Sequence, residues 1–305
     1  MSHIESQVAV PTMGTPPRTF GDRTAWWQYG ILLALLAFLY YDIVSYLAVN
    51  WYQDPNFGHG FFVPLFSAWV IWSDRRRLAS IPVKPSWWGL VVIVGALGIL
   101  IAGVLGAELF LSRTSLIFLL AGLVIFFLGW AQFRGILFPW ACLFLAVPIP
   151  AIVFNQITFP LQLLASQFAS SVLSMLGVPV FREGNILNLP AMQLDVAEAC
   201  SGIRSLMSLG TLAIILGYFL EPQRTSRRVL LALASVPIAM LANGFRIVAT
   251  GLTVHYWDPE RGEGLFHEFT GLVIFMVALV LLFGFYGLMK WTTKLWARWR
   301  SPKSA

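Results

Sequence analysis

The chain has 305 residues, 58% of them hydrophobic and only 11% charged, with a mean hydropathy of +0.76 and a formal net charge of +6. That balance lies far outside the range of soluble domains and excludes both a water-soluble enzyme and a disordered chain. The excess positive charge reads as a membrane-topology signal, with no nucleic-acid partner implied.

Residues 1 to 22 are rich in Pro, Thr and Ser and lack an apolar core, so about 1–25 reads as a disordered cytoplasmic tail rather than a signal peptide. Apolar runs long enough for a hydrocarbon core of about 30 Å then recur along the chain. They lack the alternation of outer-membrane barrel strands and therefore predict helices. The expected fold is an all-α polytopic membrane protein with about eight spans, at about 26–48, 60–73, 87–106, 110–130, 136–153, 200–220, 229–253 and 266–289. The second span is short for a crossing and uses Phe61 and Trp72 as interfacial anchors.

With the N-terminus inside, all of the 20 Lys and Arg residues except Arg113, Arg182, Arg204, Arg246 and Arg261 fall on the cytoplasmic side. The segment Asn155 to Gly177 is long enough to cross, but a crossing there would put the basic 221–228 loop and the C-terminal tail outside, against the charge rule. Its polar positions, Asn155, Gln162, Ser166, Gln167, Ser170, Ser171 and Ser174, recur at spacings of three and four, which predicts an amphipathic helix lying on the outer leaflet. Alternation in Ile186 to Leu189, after Arg182-Glu183-Gly184-Asn185, predicts a small β-hairpin over the outer surface. Residues 154–199 thus form an external cap on a single membrane-embedded domain, 26–289, followed by a basic cytoplasmic tail at 290–305.

The cap leads into Ala197-Glu198-Ala199-Cys200-Ser201-Gly202-Ile203-Arg204. Cys142, mid-span among apolar residues, reads as a small buried hydrophobe, about 10 residues of about 1.5 Å from the outer surface and so out of disulfide reach of Cys200. Cys200 is then an unpaired thiol on the oxidising side. It is either a small residue packing the start of the sixth helix or a nucleophile. A helix N-terminus and Arg204, on the same helical face, would favour its thiolate.

Arg246 follows Asn243 by three residues in the outer half of the seventh span, so both polar side chains point into the bundle. An intramembrane arginine either pairs with a carboxylate such as Glu198 or Glu268 or serves function. His267 opens the eighth span beside Glu268, with Gly271 one turn beneath as a cleft floor. Three helices thus bring a thiol, a guanidinium and an imidazole to one layer. Acyl transfer uses such groups: Cys200 as nucleophile, His267 as general acid and base, Arg246 as oxyanion stabiliser, Arg204 behind the thiol. His59 lies on the same side as a candidate lining residue, with a turn role as the alternative. Glu108 and Arg113 are expected to pair structurally, and His255 to be solvated. Metal spacings, phosphate loops and dinucleotide fingerprints are missing from the sequence, and no cofactor is inferred.

These motifs resemble the exosortase/archaeosortase family of membrane-embedded cysteine transpeptidases, specifically the exosortases. The resemblance runs from about residue 30 to 289 and is carried by Asp54-Pro55-Asn56 through His59-Gly60, Pro148-Ile149-Pro150, Glu198 to Arg204, Asn243 to Ile247 and His267 to Gly271. It implies a bacterial inner-membrane enzyme with its active site facing the periplasm. Its partners would be exported proteins with a C-terminal PEP-CTERM-like sorting signal, comprising a short Pro-containing motif, a transmembrane helix and a basic cluster. Such systems are often linked to exopolysaccharide and biofilm. The family's Cys, Arg and His fall on Cys200, Arg246 and His267. Some members carry a soluble domain after the last span, where this sequence has a basic tail, so the resemblance leaves the subtype open. The rival readings are a polysaccharide-precursor transporter or flippase, with Arg204 and Arg246 binding anions, and a non-catalytic scaffold.

Overall fold

The structure is a computed structural model that describes residues 26–196, 202–256 and 265–300, excepting the side chains at 26, 29, 202–203, 265–268 and 296–300. The chain divides into two compact units, Met1–Asp42 and Ile43–Ala305. The described part of the first is the beginning of helix α1 (Trp26–Gln53), apolar and largely exposed along its length. The sequence expectations for residues 1–25 lie outside the described residues.

In the second unit, the end of α1 leads through a 3₁₀ turn (Gly58–Phe61) to α2 (Phe62–Ser73) and α3 (Arg75–Ser80). The helices α4 (Trp88–Leu105) and α5 (Leu109–Phe127) form a hairpin, followed by the short α6 (Trp130–Gly135) and α7 (Leu137–Cys142) and a 3₁₀ turn (Leu143–Ala146). Then come α8 (Ala151–Met175), the strands β1 (Phe181–Glu183), β2 (Ile186–Asn188) and β3 (Gln193–Asp195), and the helices α9 (Gly202–Leu220), α10 (Thr225–Tyr256) and α11 (Leu265–Arg300). In hydrocarbon no water can satisfy backbone groups, so apolar runs of this kind close their own hydrogen bonds as helices. Close packing between them uses small residues: a Cβ on Gly89 would meet the Phe126 backbone at 2.2 Å, and one on Gly122 would meet Ile93 at 2.8 Å.

The helical membrane class is as expected, while the count of eight spans is not confirmed. Among the described residues five helices are long and apolar enough to cross, at Gly30–Gln53, Trp88–Leu105, Leu109–Phe127, Thr225–Tyr256 and Phe269–Leu295. A sixth is present if Leu137–Ala146 and Ala151–Met175, bent by 83°, are one broken span. Helix is interrupted within the expected span at about 136–153 because Pro148 and Pro150 remove backbone donors and push the preceding residues out of the α region. The 12 residues of α2 reach only about 18 Å at a rise of about 1.5 Å each. The tail expected from 290 continues as helix through Arg300.

The polar positions of α8 do not form one exposed face. Ser166 is fully buried and donates to the Leu163 and Gly184 carbonyls at 2.9 Å each, while the apolar Ile152, Ile157 and Leu164 are exposed. The helix packs against α10, with Phe168 at Gly244 and Leu173 at Gly251. The expected hairpin is present and gains a third strand: Phe181 pairs with Asn188 and Glu183 with Ile186, and β2 pairs in turn with β3, Ile186 opposite Asp195. Gly184, at φ +63°, supplies the positive φ that the β1–β2 turn requires. The sheet's buried Leu187, Leu194 and Val196 share an apolar cluster with Leu173 of α8 and Ile247 of α10.

The basic loops gather at one end of the bundle. Gln132 donates to the carbonyls of Leu78 and Ile81, both at 2.9 Å, and Arg77 to that of Gly135 at 3.1 Å, tying α3 to α6.

Candidate active site

The helices α9 and α10 run antiparallel in a register set by small residues. Gly217 faces the backbone of Arg228, a Cβ there meeting its Cα at 3.3 Å, and Gly210 faces Ser235, whose Oγ would lie 3.7 Å from a Cβ. Toward the other end, Leu206 shares a small cavity with Met240 and Asn243. Continuing one turn, Gly202 at the start of α9 comes level with Asn243, one turn short of Arg246.

Arg246 is 7% exposed. Its guanidinium rests on α11 at Gly271: a Cβ at that position would lie 3.1 Å from one terminal nitrogen and 3.3 Å from Cζ. The seat exists because residue 271 has no side chain. His267 lies four residues earlier on α11, hence on the same helical face and about 6 Å higher along the axis. The guanidinium therefore lies against α11 one turn from the backbone of residue 267. Holding a cation in low dielectric with few degrees of freedom makes it a strong partner for a nearby developing negative charge.

Asn243, one turn from Arg246 and 6% exposed, has an Oδ1 with no hydrogen-bond partner among the described residues. It borders the cavity that Thr158 and Gln162 of α8 also line, whose free volume of about 20 Å³ suits a single water. A buried amide oxygen is usually satisfied, and a bound water or a substrate N–H would do so here.

Of the other residues named from the sequence, Cys200 and Glu198 lie outside the described residues, as do the side chains of His267 and Glu268. Arg204 is exposed on the first turns of α9. His59 sits on the 3₁₀ turn between α1 and α2, where its Nε2 faces the Leu145 carbonyl at 3.1 Å and must be the donor. Burial lowers its pKa below 6.5, against the smaller raising effect of the Leu145 and Asn56 backbone. Leu145 belongs to the cluster of Val63, Cys142 and Ala146, which meets α9 at Ile214, about 18 Å along the axis from Gly202. Cys142 is 3% exposed and free. Glu108 caps α5 by accepting from the Leu111 N–H at 3.1 Å, while Arg113 donates across to Asn50 of α1, so the two are linked by electrostatic attraction without an ion-pair contact. His255 is exposed at the end of α10, edge-on to Tyr256.

The structure thus brings Arg246 and Gly271 into contact, with the start of α9 level with Asn243 and the start of α11 within two turns of Gly271. Sequence reading missed a second grouping, Arg77, Arg134 and Arg228, which it used only as topology signals; they line a cleft at the opposite end.

Among protein families, residues 51–284 match the one described as Transmembrane exosortase (Exosortase_EpsH). That range contains every motif segment discussed above from Asp54 to Gly271. No curated protein and no solved structure matches the chain.

Proposed function

Because this chain belongs to the transmembrane exosortase family, we propose that it is a membrane-embedded cysteine peptidase or transpeptidase acting on exported proteins that bear a C-terminal, PEP-CTERM-like sorting signal. The observation that carries this reading is the seat of Arg246 on Gly271, one turn from His267. Cys200 precedes Gly202 by two residues, a reach of at most about 7 Å, and Gly202 is level with Asn243, one turn from Arg246.

In this reading the Cys200 thiolate attacks the scissile carbonyl carbon, and Arg246 binds the oxygen as it takes up negative charge. As the C–N bond breaks, protonated His267 gives its proton to the departing amine, leaving an acyl thioester on Cys200. Neutral His267 then takes a proton from the incoming nucleophile, water for hydrolysis or an acceptor amine for transfer. The C–S bond breaks and the thiolate and imidazolium return. Arg204, Asn243, His59, Glu198 and Glu268 are the candidates for shaping the site around these three. The substrate's own helix would lie beside the spans with its basic end at the cytoplasm, and the site would open to the periplasmic side of a bacterial inner membrane, serving an exopolysaccharide-linked system.

A transporter or flippase needs a polar route across the bilayer. Beneath Arg246 the interior is filled instead by the buried cluster of Leu209, Ala213, Leu231, Ala239, Ala278 and Leu282, which favours the enzyme reading. The test is Cys200→Ala. It should abolish processing of a co-expressed sorting-signal protein, while the wild type yields a hydroxylamine-sensitive adduct. Unchanged processing by the variant would remove the proposal.

A further inference from the structure

At the end of the bundle away from Arg246, the helices α2, α3, α6, α7, α9 and α10 enclose a cleft of about 770 Å³ that the proposed reaction does not use. Arg228 and Arg246 lie on the same helix, so at a rise of about 1.5 Å per residue the two levels are about 27 Å apart, close to the roughly 30 Å of a hydrocarbon core. One wall of the cleft is aromatic, with Trp69, Phe138 and Phe219; Arg77, Arg134 and Arg228 line the rest. The Phe138 and Tyr218 rings stack at 4.0 Å with planes 4° apart, and the Arg228 guanidinium lies over Tyr218 at 5.1 Å.

The arginines differ in what already holds them. Arg228 donates from Nε to the Glu221 carbonyl at 2.7 Å, and also to that of Pro222. Arg77 pairs at 2.7 Å with Asp74, the one carboxylate among the lining residues. Glu221, nearby, is taken by Arg227 at 3.2 Å. The Arg134 guanidinium has no hydrogen bond or ion pair with any described residue. The lining thus sets three guanidiniums against one carboxylate beside an apolar wall, at the depth where headgroups meet acyl chains. Guanidiniums grip phosphate oxygens through paired N–H groups, and basic clusters at this level attract anionic lipids.

We propose that this cleft is a binding site for an anionic phospholipid. Arg134, supported by Arg77 and Arg228, takes the phosphate, and an acyl chain lies along Trp69, Phe138 and Phe219. The site is separate from the proposed peptidase chemistry and stands or falls without it.

The test uses the full chain in mild detergent, titrated with dioctanoyl phosphatidylglycerol, dioctanoyl phosphatidylcholine or inorganic phosphate, with retained ligand counted by native mass spectrometry. The wild type should retain phosphatidylglycerol in preference to phosphatidylcholine by about tenfold. Arg134→Glu should erase that preference, and Arg134→Gln and Arg77→Gln should each reduce it. Arg76→Gln, on α3 but outside the lining, should leave it unchanged. Equal retention of the two lipids overturns the proposal, and so does a preference that survives Arg134→Glu. An equal loss on Arg76→Gln would reduce the effect to bulk positive charge and overturn the site. Displacement of the lipid by inorganic phosphate at equal concentration would make the cleft a soluble-anion site and overturn the lipid assignment. Arg134 has no hydrogen bond to lose, and an unchanged thermal transition confirms that its variants are folded.

Discussion

At one end of the α9–α10 pair, Arg246 is almost fully buried and seated against Gly271; at the other, Arg77, Arg134 and Arg228 ring an open cleft, with Arg134 exposed. The sealed cation is screened little and keeps a fixed direction, so it can act on a charge that appears during a reaction. The open group shares its task, its members being weakened by water and salt, and Arg77 and Arg228 committed in part to backbone carbonyls. The same residue type thus suits transition-state chemistry in one place and the holding of a standing negative charge in the other.

The contrast is broken most sharply at the sealed seat. Arg246→Lys keeps the charge but loses the planar donor fork, and processing of a sorting-signal substrate should fall by about 10²- to 10³-fold. Rates close to wild type, measured in membranes at matched expression, would reduce the seat to a packing device. Gly271→Val leaves Arg246 in place but fills its resting position, since even a Cβ would lie 3.1 Å from the guanidinium nitrogen. A displacement near 1 Å should lower the processing rate by about 10²-fold, with a milder loss for Gly271→Ala. If the Val variant is fully active, the guanidinium works from another position.

The smallest effect belongs to a third region that fits neither pattern. Burial lowers the pKa of His59 below 6.5, so the unfolded chain binds a proton there that the folded one resists. The group's contribution to stability is then present above pH 6.5 and lost as pH falls toward its folded value. Thermal unfolding compared at about pH 7.5 and about pH 5.5 should show a drop that His59→Gln partly removes. An identical drop in both proteins would assign it to other groups.

The long helices were legible because an unbroken apolar run has one solution in hydrocarbon. The break at Pro148-Ile149-Pro150 was visible as residues but was read as a motif within a span, and its 83° consequence was not drawn. In α8 polarity misled: Ser166 bonds back to its own helix and across to Gly184, so a hydroxyl needed no water. At the site, Arg246, Asn243 and Gly271 were each legible from spacing. The seat itself was not, since periodicity tells which face turns inward but not which glycine on another helix it meets. The basic cleft was hidden for the same reason: Arg77, Arg134 and Arg228 come from three helices, α3, α6 and α10, that only tertiary packing assembles.

The shared underside of the three-stranded sheet limits how a polypeptide reaches Arg246. Leu187, Leu194 and Val196 are nearly inaccessible and belong to one cluster with Ile247, the residue next to Arg246. Lifting the strands like a flap would expose those side chains at roughly 1.5–3 kcal/mol each and uncover Ile247 as well. The strands are therefore fixed in place beside Ile247, and in the proposed peptidase a membrane-anchored substrate would enter sideways, from the bilayer plane between helices.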